Sequence, residues 1–138
     1  MLTQLKAVHA ELREAIAGLE ALTSQPFPDR ETLSAARLRL SKASSRRRSM
    51  IECSVYPLLH DVPPHEAAKI ANLRLEMATL MVQSSEHIGR WTVQSICADW
   101  AGYQKASAAM RRSMLKRIEQ EVTVLYPLIQ AKIGQRAA

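Results

Sequence analysis

Five ionisable side chains stand where a helical apolar period calls for core residues: His9, Arg47, His87, Arg117 and Glu121. Imidazoles and carboxylates can ligate a metal ion, whereas a guanidinium offers only donors and suits a carboxylate or another anion. A buried charge is costly unless it is paired or bound to something. Five such residues, each part-way along its helix, therefore predict a shared polar layer inside the fold. Arg47 and Arg117 also open a near-repeat. Segments 47–57 and 117–127 begin with arginine, carry an acid five or four residues on (Glu52, Glu121), and end in Tyr56-Pro57 and Tyr126-Pro127. Two apolar residues follow each, Leu58-Leu59 and Leu128-Ile129.

The elements that must position these groups are helices. The chain has 138 residues, 47% of them apolar and only 4 glycine and 6 proline, which favours a single helical domain over 1–138. The first stripe, Leu2, Leu5, His9, Leu12, Ile16 and Leu19, predicts a helix over 2–23. Pro26, Pro28 and the capping Asp29 separate it from a second helix over 30–59, whose stripe runs through Leu33, Leu40, Ser44, Arg47, Ile51, Val55 and Leu58. Pro63-Pro64 stop that helix. A third is expected over 65–96 on Ile70, Leu73, Met77, Leu80, Ser84, His87 and Trp91. Segment 99–102 is the weakest break, and a fourth helix follows over 105–132 on Met110, Met114, Arg117, Glu121, Val124 and Leu128. Short connections between long amphipathic helices favour antiparallel neighbours, hence an all-α, up-down-up-down four-helix bundle.

With its polar layer and paired Tyr-Pro segments, the chain resembles a hemerythrin-type (HHE) domain over essentially its full length. The resemblance implies a histidine early in helix one and a His-x-x-x-Glu pair before Tyr/Phe-Pro in helix two. It further implies a histidine in helix three and a second His-x-x-x-Glu pair in helix four. Together these ligands hold a non-haem di-iron centre that binds oxygen or senses redox state. Carried over residue by residue, His9, His87 and Glu121 match ligand positions, but Arg47, Ile51 and Arg117 replace the other three. A guanidinium repels a cation, so the expected protein is a degenerate relative without the di-iron site.

Three functional readings follow. The favoured one is a non-enzymatic binding or regulatory module with no cofactor. Its Arg47, Arg117 and Glu121 form an ion-pair network with the histidines or Ser84, and its surplus positive charge suits a small anion or carboxylate. The alternative keeps iron or zinc on His9, His87 and Glu121 in an oxygen- or redox-responsive protein. A third is an oligomeric interaction module, such as a homodimer, or one that docks a protein partner.

The remaining features narrow the class. No apolar stretch is long enough for a membrane span, and the N-terminus lacks a secretory pattern, so the cytoplasm is expected. Cys53 and Cys97 lack metal or redox spacing and are read as reduced thiols. The net charge is +6, but Arg46, Arg47 and Arg48 on a helix point in three directions, which argues against a nucleic-acid patch. His60, Asp61 and His65 flank a turn and are read as exposed. Tyr56, Tyr126, Trp91 and Trp100 are read as packing anchors. Met77, Met81, Met110 and Met114 are read first as core filler, and otherwise as the lining of an adaptable cavity.

Overall fold

The computed structural model describes residues 1–137, which are all-α with no strand among them. Helix α1 spans Leu2–Thr23 and α2 spans Arg30–Met50. Asp29 caps α2 by accepting from the Thr32 backbone N–H at 3.1 Å, and that bond holds its carboxyl below the usual range. A π-helical turn, Ile51–Val55, carries the chain into α3, Tyr56–Leu58, so the helical path runs without a break from Arg30 to Leu58. Pro57 has no N–H, and its ring crowds the carbonyl four residues back; the wider turn relieves that clash.

Two helix boundaries differ from those expected. The third long helix, α4, spans Pro64–Arg90 and stops before Ile96. Trp91 leaves helical geometry, and the Thr92 side chain accepts from Ser95 N–H to cap a separate short helix, α5, Val93–Ala98. The last helix, α6, starts at Trp100 rather than near Lys105 and continues to Ala137, with Pro127 inside it. Asp99 caps it through Gly102 N–H at 3.0 Å. A Cβ at residue 102 would collide with that carboxylate, so glycine suits the position. No described helix is long and apolar enough to cross a membrane.

Apolar burial is divided into three clusters along the helices. At one end Leu5 meets Ile51, Val55, Ile70, Leu125 and Ile129. In the middle Leu12, Ala15 and Ile16 meet Ala43 and Ile118. At the other end Leu19 meets Leu33, Trp91, Ile96 and Tyr103. From the first cluster to the third, residue numbers rise along α1 (Leu5 to Leu19) and fall along α2 (Val55 to Leu33) and α6 (Ile129 to Tyr103).

The buried stripe of α6 keeps the expected Arg117 and Glu121, but its apolar members are Ile118, Leu125 and Ile129, one position round from the expected Val124 and Leu128. Met110, Met114, Val124 and Leu128 lie at its margins and are only partly buried. The middle cluster has no residue from α4 at all. Ile70 and Leu73 anchor the start of α4, but no residue from Arg74 to Arg90 is buried. The inner face of α4 therefore borders open space instead of filled core.

Candidate functional site

The polar layer lies between the first and second apolar clusters. His9 sits between Leu5 and Leu12 on α1, Arg47 between Ala43 and Ile51 on α2, and Glu121 between Ile118 and Leu125 on α6. Glu121 and His9 are fully buried, while Arg117 and Arg47 are 3% and 5% exposed. Glu121 is the hub. Its Oε2 accepts from Arg47 Nη1 at 2.6 Å and from Arg117 Nε at 3.0 Å, and its Oε1 accepts from His9 Nε2 at 2.9 Å. Arg117 and Glu121 are one helical turn apart on α6, so helix geometry alone brings them together. Arg47 reaches them from α2.

In the tautomer that carries N–H on Nε2, the imidazole donates to the carboxylate and Nδ1 is left to accept. Tyr126 supplies that donor, its hydroxyl lying 2.6 Å from His9 Nδ1. Tyr126 was read only as an anchor, and five residues from Glu121 no simple period flags it. Burial is the largest influence on Glu121 and opposes its ionisation, but the His9 hydrogen bond and the charges of Arg47 and Arg117 outweigh it. The carboxyl is held below its usual range. Burial likewise pushes the Tyr126 hydroxyl up, keeping it a donor.

One carboxylate does not use up two guanidinium groups. Arg47 Nε and both terminal nitrogens of Arg117 are buried without a hydrogen-bond partner among the described residues. Glu76 on α4 approaches Arg117 Nη1 to 3.7 Å, too far for a hydrogen bond, and its side chain is half exposed, so water screens the pair. Leaving buried donors unmet costs about 1–3 kcal/mol each.

His87 does not join this layer. It lies near the end of α4, stacked on Tyr103 with ring centroids 6.1 Å apart. Burial, helped by the charge of Arg37, pulls its pKa below the usual value. The expected metal set of His9, His87 and Glu121 is therefore not assembled, and among the described residues no three His, Cys, Asp or Glu side chains converge to hold an ion. The donor set also disagrees with di-iron chemistry. Where the family resemblance calls for ligands, Ile51 packs in apolar core and two guanidiniums occupy both the space and the surviving carboxylate. Glu52 points away, exposed and 3.8 Å from Arg74.

A cavity opens where α4 leaves the core. A small chamber of about 70 Å³ is lined by Arg47, Arg117, Leu12, Met77 and Leu80. Beside it lies a larger one of about 460 Å³ between α2, α4 and α6, reaching Leu19, His87 and Tyr103. Ser44, Arg48, Met81, Ser84, Met110 and Met114 wall both, so the two chambers adjoin. Met77, Met81, Met110 and Met114 are thus cavity lining rather than filler. The fully buried Tyr103 hydroxyl, at the larger chamber, also lacks a partner among the described residues.

Arg46, His60, Asp61, Cys53 and Cys97 lie outside this site. Arg46 is exposed and pairs with Glu11, Arg47 is buried, and Arg48 borders the cavity, so the basic run does divide three ways. His60 donates to the Pro57 carbonyl at 2.9 Å, and Asp61 binds Lys132 at 2.5 Å. Cys53 and Cys97 are free thiols. No protein-family model matches the chain, and no curated protein or solved structure matches it either.

Proposed function

We propose that the protein is a non-enzymatic binding module of hemerythrin-like, up-down-up-down four-helix architecture that binds a small anion or carboxylate through Arg117 and Arg47. The antiparallel run of α1 against α2 and α6 agrees with that architecture. The observation that carries the function is the Arg117 guanidinium, whose two terminal nitrogens are buried and unpartnered among the described residues, on a side chain that lines a chamber of about 70 Å³. That volume is about two waters' share of liquid, room for a carboxylate group but little more. Within the buried layer, Arg47 and Arg117 against Glu121 leave +2 − 1 = +1, with the half-exposed Glu76 3.7 Å from Arg117 at its rim. A carboxylate there accepts charge-assisted bonds from donors that are otherwise wasted.

Acetate and inorganic phosphate, titrated at constant ionic strength, test this by calorimetry and thermal unfolding. Acetate is expected to bind and to raise the unfolding midpoint. Glu76→Gln removes a competing surface carboxylate from the Arg117 mouth and should tighten acetate several-fold without disturbing the core. Absence of binding by both anions in wild type and Glu76→Gln would sink the proposal. So would stoichiometric iron with a charge-transfer band in protein purified without added metal.

A further inference from the structure

The small chamber ends on a pair of arginines, but the space beside it does not end there. We infer that the ligand is an elongated dianion, with one acidic group at Arg117 and Arg47, a second at Arg111, Arg37 and Tyr103, and an apolar spacer between them. This rests on the anion-binding reading of the Arg117 end and deepens it to a ligand class.

Charge is the first support. Arg37, Arg47, Arg48, Arg111 and Arg117 line the adjoining chambers, and among the described residues no Asp or Glu does. Glu121 pairs with Arg47 and Arg117, and Glu76 approaches Arg117, but Arg37, Arg48 and Arg111 have no ion-pair partner among the described residues, so a single carboxylate at Arg117 leaves the far end uncompensated. The arginines are also separated into two ends. Arg111 and Arg117 are six residues apart on α6, about 9 Å along the helix axis. Met110 and Met114, adaptable apolar side chains, line the stretch of α6 between Arg117 and Tyr103.

Built structure at the far end is the second support. Arg111 donates Nη1 to Thr23 Oγ1 at 2.9 Å and to Ser107 Oγ at 2.7 Å, which fixes its guanidinium against the cavity wall. Tyr103, which lines the same chamber, has a fully buried hydroxyl with no partner among the described residues. Arg37 lies over the Tyr103 ring, 5.8 Å from its centroid. Arg111 and Arg37 line this chamber with N–H donors, the same chemistry as the Arg117 end. The volume of about 460 Å³ falls in the range that holds a ligand of metabolite or drug size.

The test compares acetate, octanoate and octanedioate by calorimetry on the full chain at constant ionic strength. Octanedioate is expected to bind about tenfold or more tighter than octanoate, the worth of one added charge-assisted contact. Arg111→Met should erase that advantage while leaving acetate binding within about twofold, and Arg37→Gln, on a partly exposed residue, should reduce it without risk to folding. Octanoate binding as tightly as octanedioate overturns the inference, because the far end then recognises no acid. Acetate binding as tightly as both eight-carbon acids also overturns it, yet leaves the anion site at Arg117 standing. Loss of binding by all three defeats both readings together.

Discussion

Segments 47–57 and 117–127 start from the same arginine and end in the same Tyr-Pro, yet they bury opposite chemistry one turn in. Four residues after Arg47 stands Ile51, packed in apolar core; four residues after Arg117 stands Glu121, fully buried and bonded three ways. The acid of the first segment, Glu52, has moved one position on and faces solvent. The backbones diverge as well. The first segment widens into a π turn and ends three residues later, before the bend into Pro63-Pro64, whereas the second remains α-helical through Pro127 to Ala137. The arginine and the Tyr-Pro set where each segment sits along the helices. The residue at the fourth position decides whether the arginine finds an acceptor on its own helix: Arg117 does, whereas Arg47 reaches across to the same Glu121.

The largest effect should come from removing that acceptor. Glu121→Ala strands two guanidiniums and an imidazole N–H in the core and is expected to destabilise by about 3–5 kcal/mol in urea unfolding at neutral pH. Glu52→Ala, its counterpart, should change stability by less than about 0.5 kcal/mol. Similar values for the two would break the comparison. Acid offers the same contrast without mutation. Glu121 has its folded pKa lowered, so its contribution is complete above the unfolded value of 4.5 and is lost as pH falls below it. Wild type should lose stability through that acid limb, and Glu121→Ala should lose correspondingly less.

How far the sequence reached follows from the same contrast. Periodicity placed His9, Arg47, Arg117 and Glu121 on inward faces, because each is flanked three or four residues away by residues that are in fact buried. The same logic failed for His87. Its stripe on α4 does face inward, but toward a cavity rather than filled core, and an apolar period cannot tell a packed surface from an unpacked one. The methionines misled the α6 register for the same reason, since Met110 and Met114 count as apolar although they border open space. The stop at Arg90 coincides with a Thr92-x-x-Ser95 cap, a local signal that competes with the longer apolar stripe through Trp91.

A smaller effect should follow from removing one of the two guanidiniums. Arg117→Ala leaves Glu121 still bonded to Arg47 and His9 and also relieves like-charge repulsion between the arginines. The expected cost is about 3 kcal/mol, the low end for a broken buried pair. In a Glu121→Ala background the same change should cost far less, because the partner is already gone. A single-mutant cost below about 0.5 kcal/mol would place Arg117 in solvent and undo the assignment of the layer. A cost unchanged in the double mutant would mean that Arg117 acts through packing of its stem rather than through Glu121.

The two tyrosines give the finest version of the comparison. Tyr126 donates its hydroxyl to His9 Nδ1 at 2.6 Å, and that bond selects the tautomer that presents Nε2–H to Glu121. Tyr126→Phe removes the donor, leaves Nδ1 without its partner at the margin of the layer, and should cost about 1 kcal/mol. Tyr56 has a different role. It is buried in the first apolar cluster with Arg74 over its ring, 4.4 Å from the centroid, so its ring rather than its hydroxyl is what neighbours use. Tyr56→Phe keeps that ring and should shift stability by less than about 0.5 kcal/mol. Equal costs would mean that His9 is held by packing alone. The imidazole would then need no tyrosine to aim its N–H at the carboxylate, and the layer would consist of Glu121 with its two arginines.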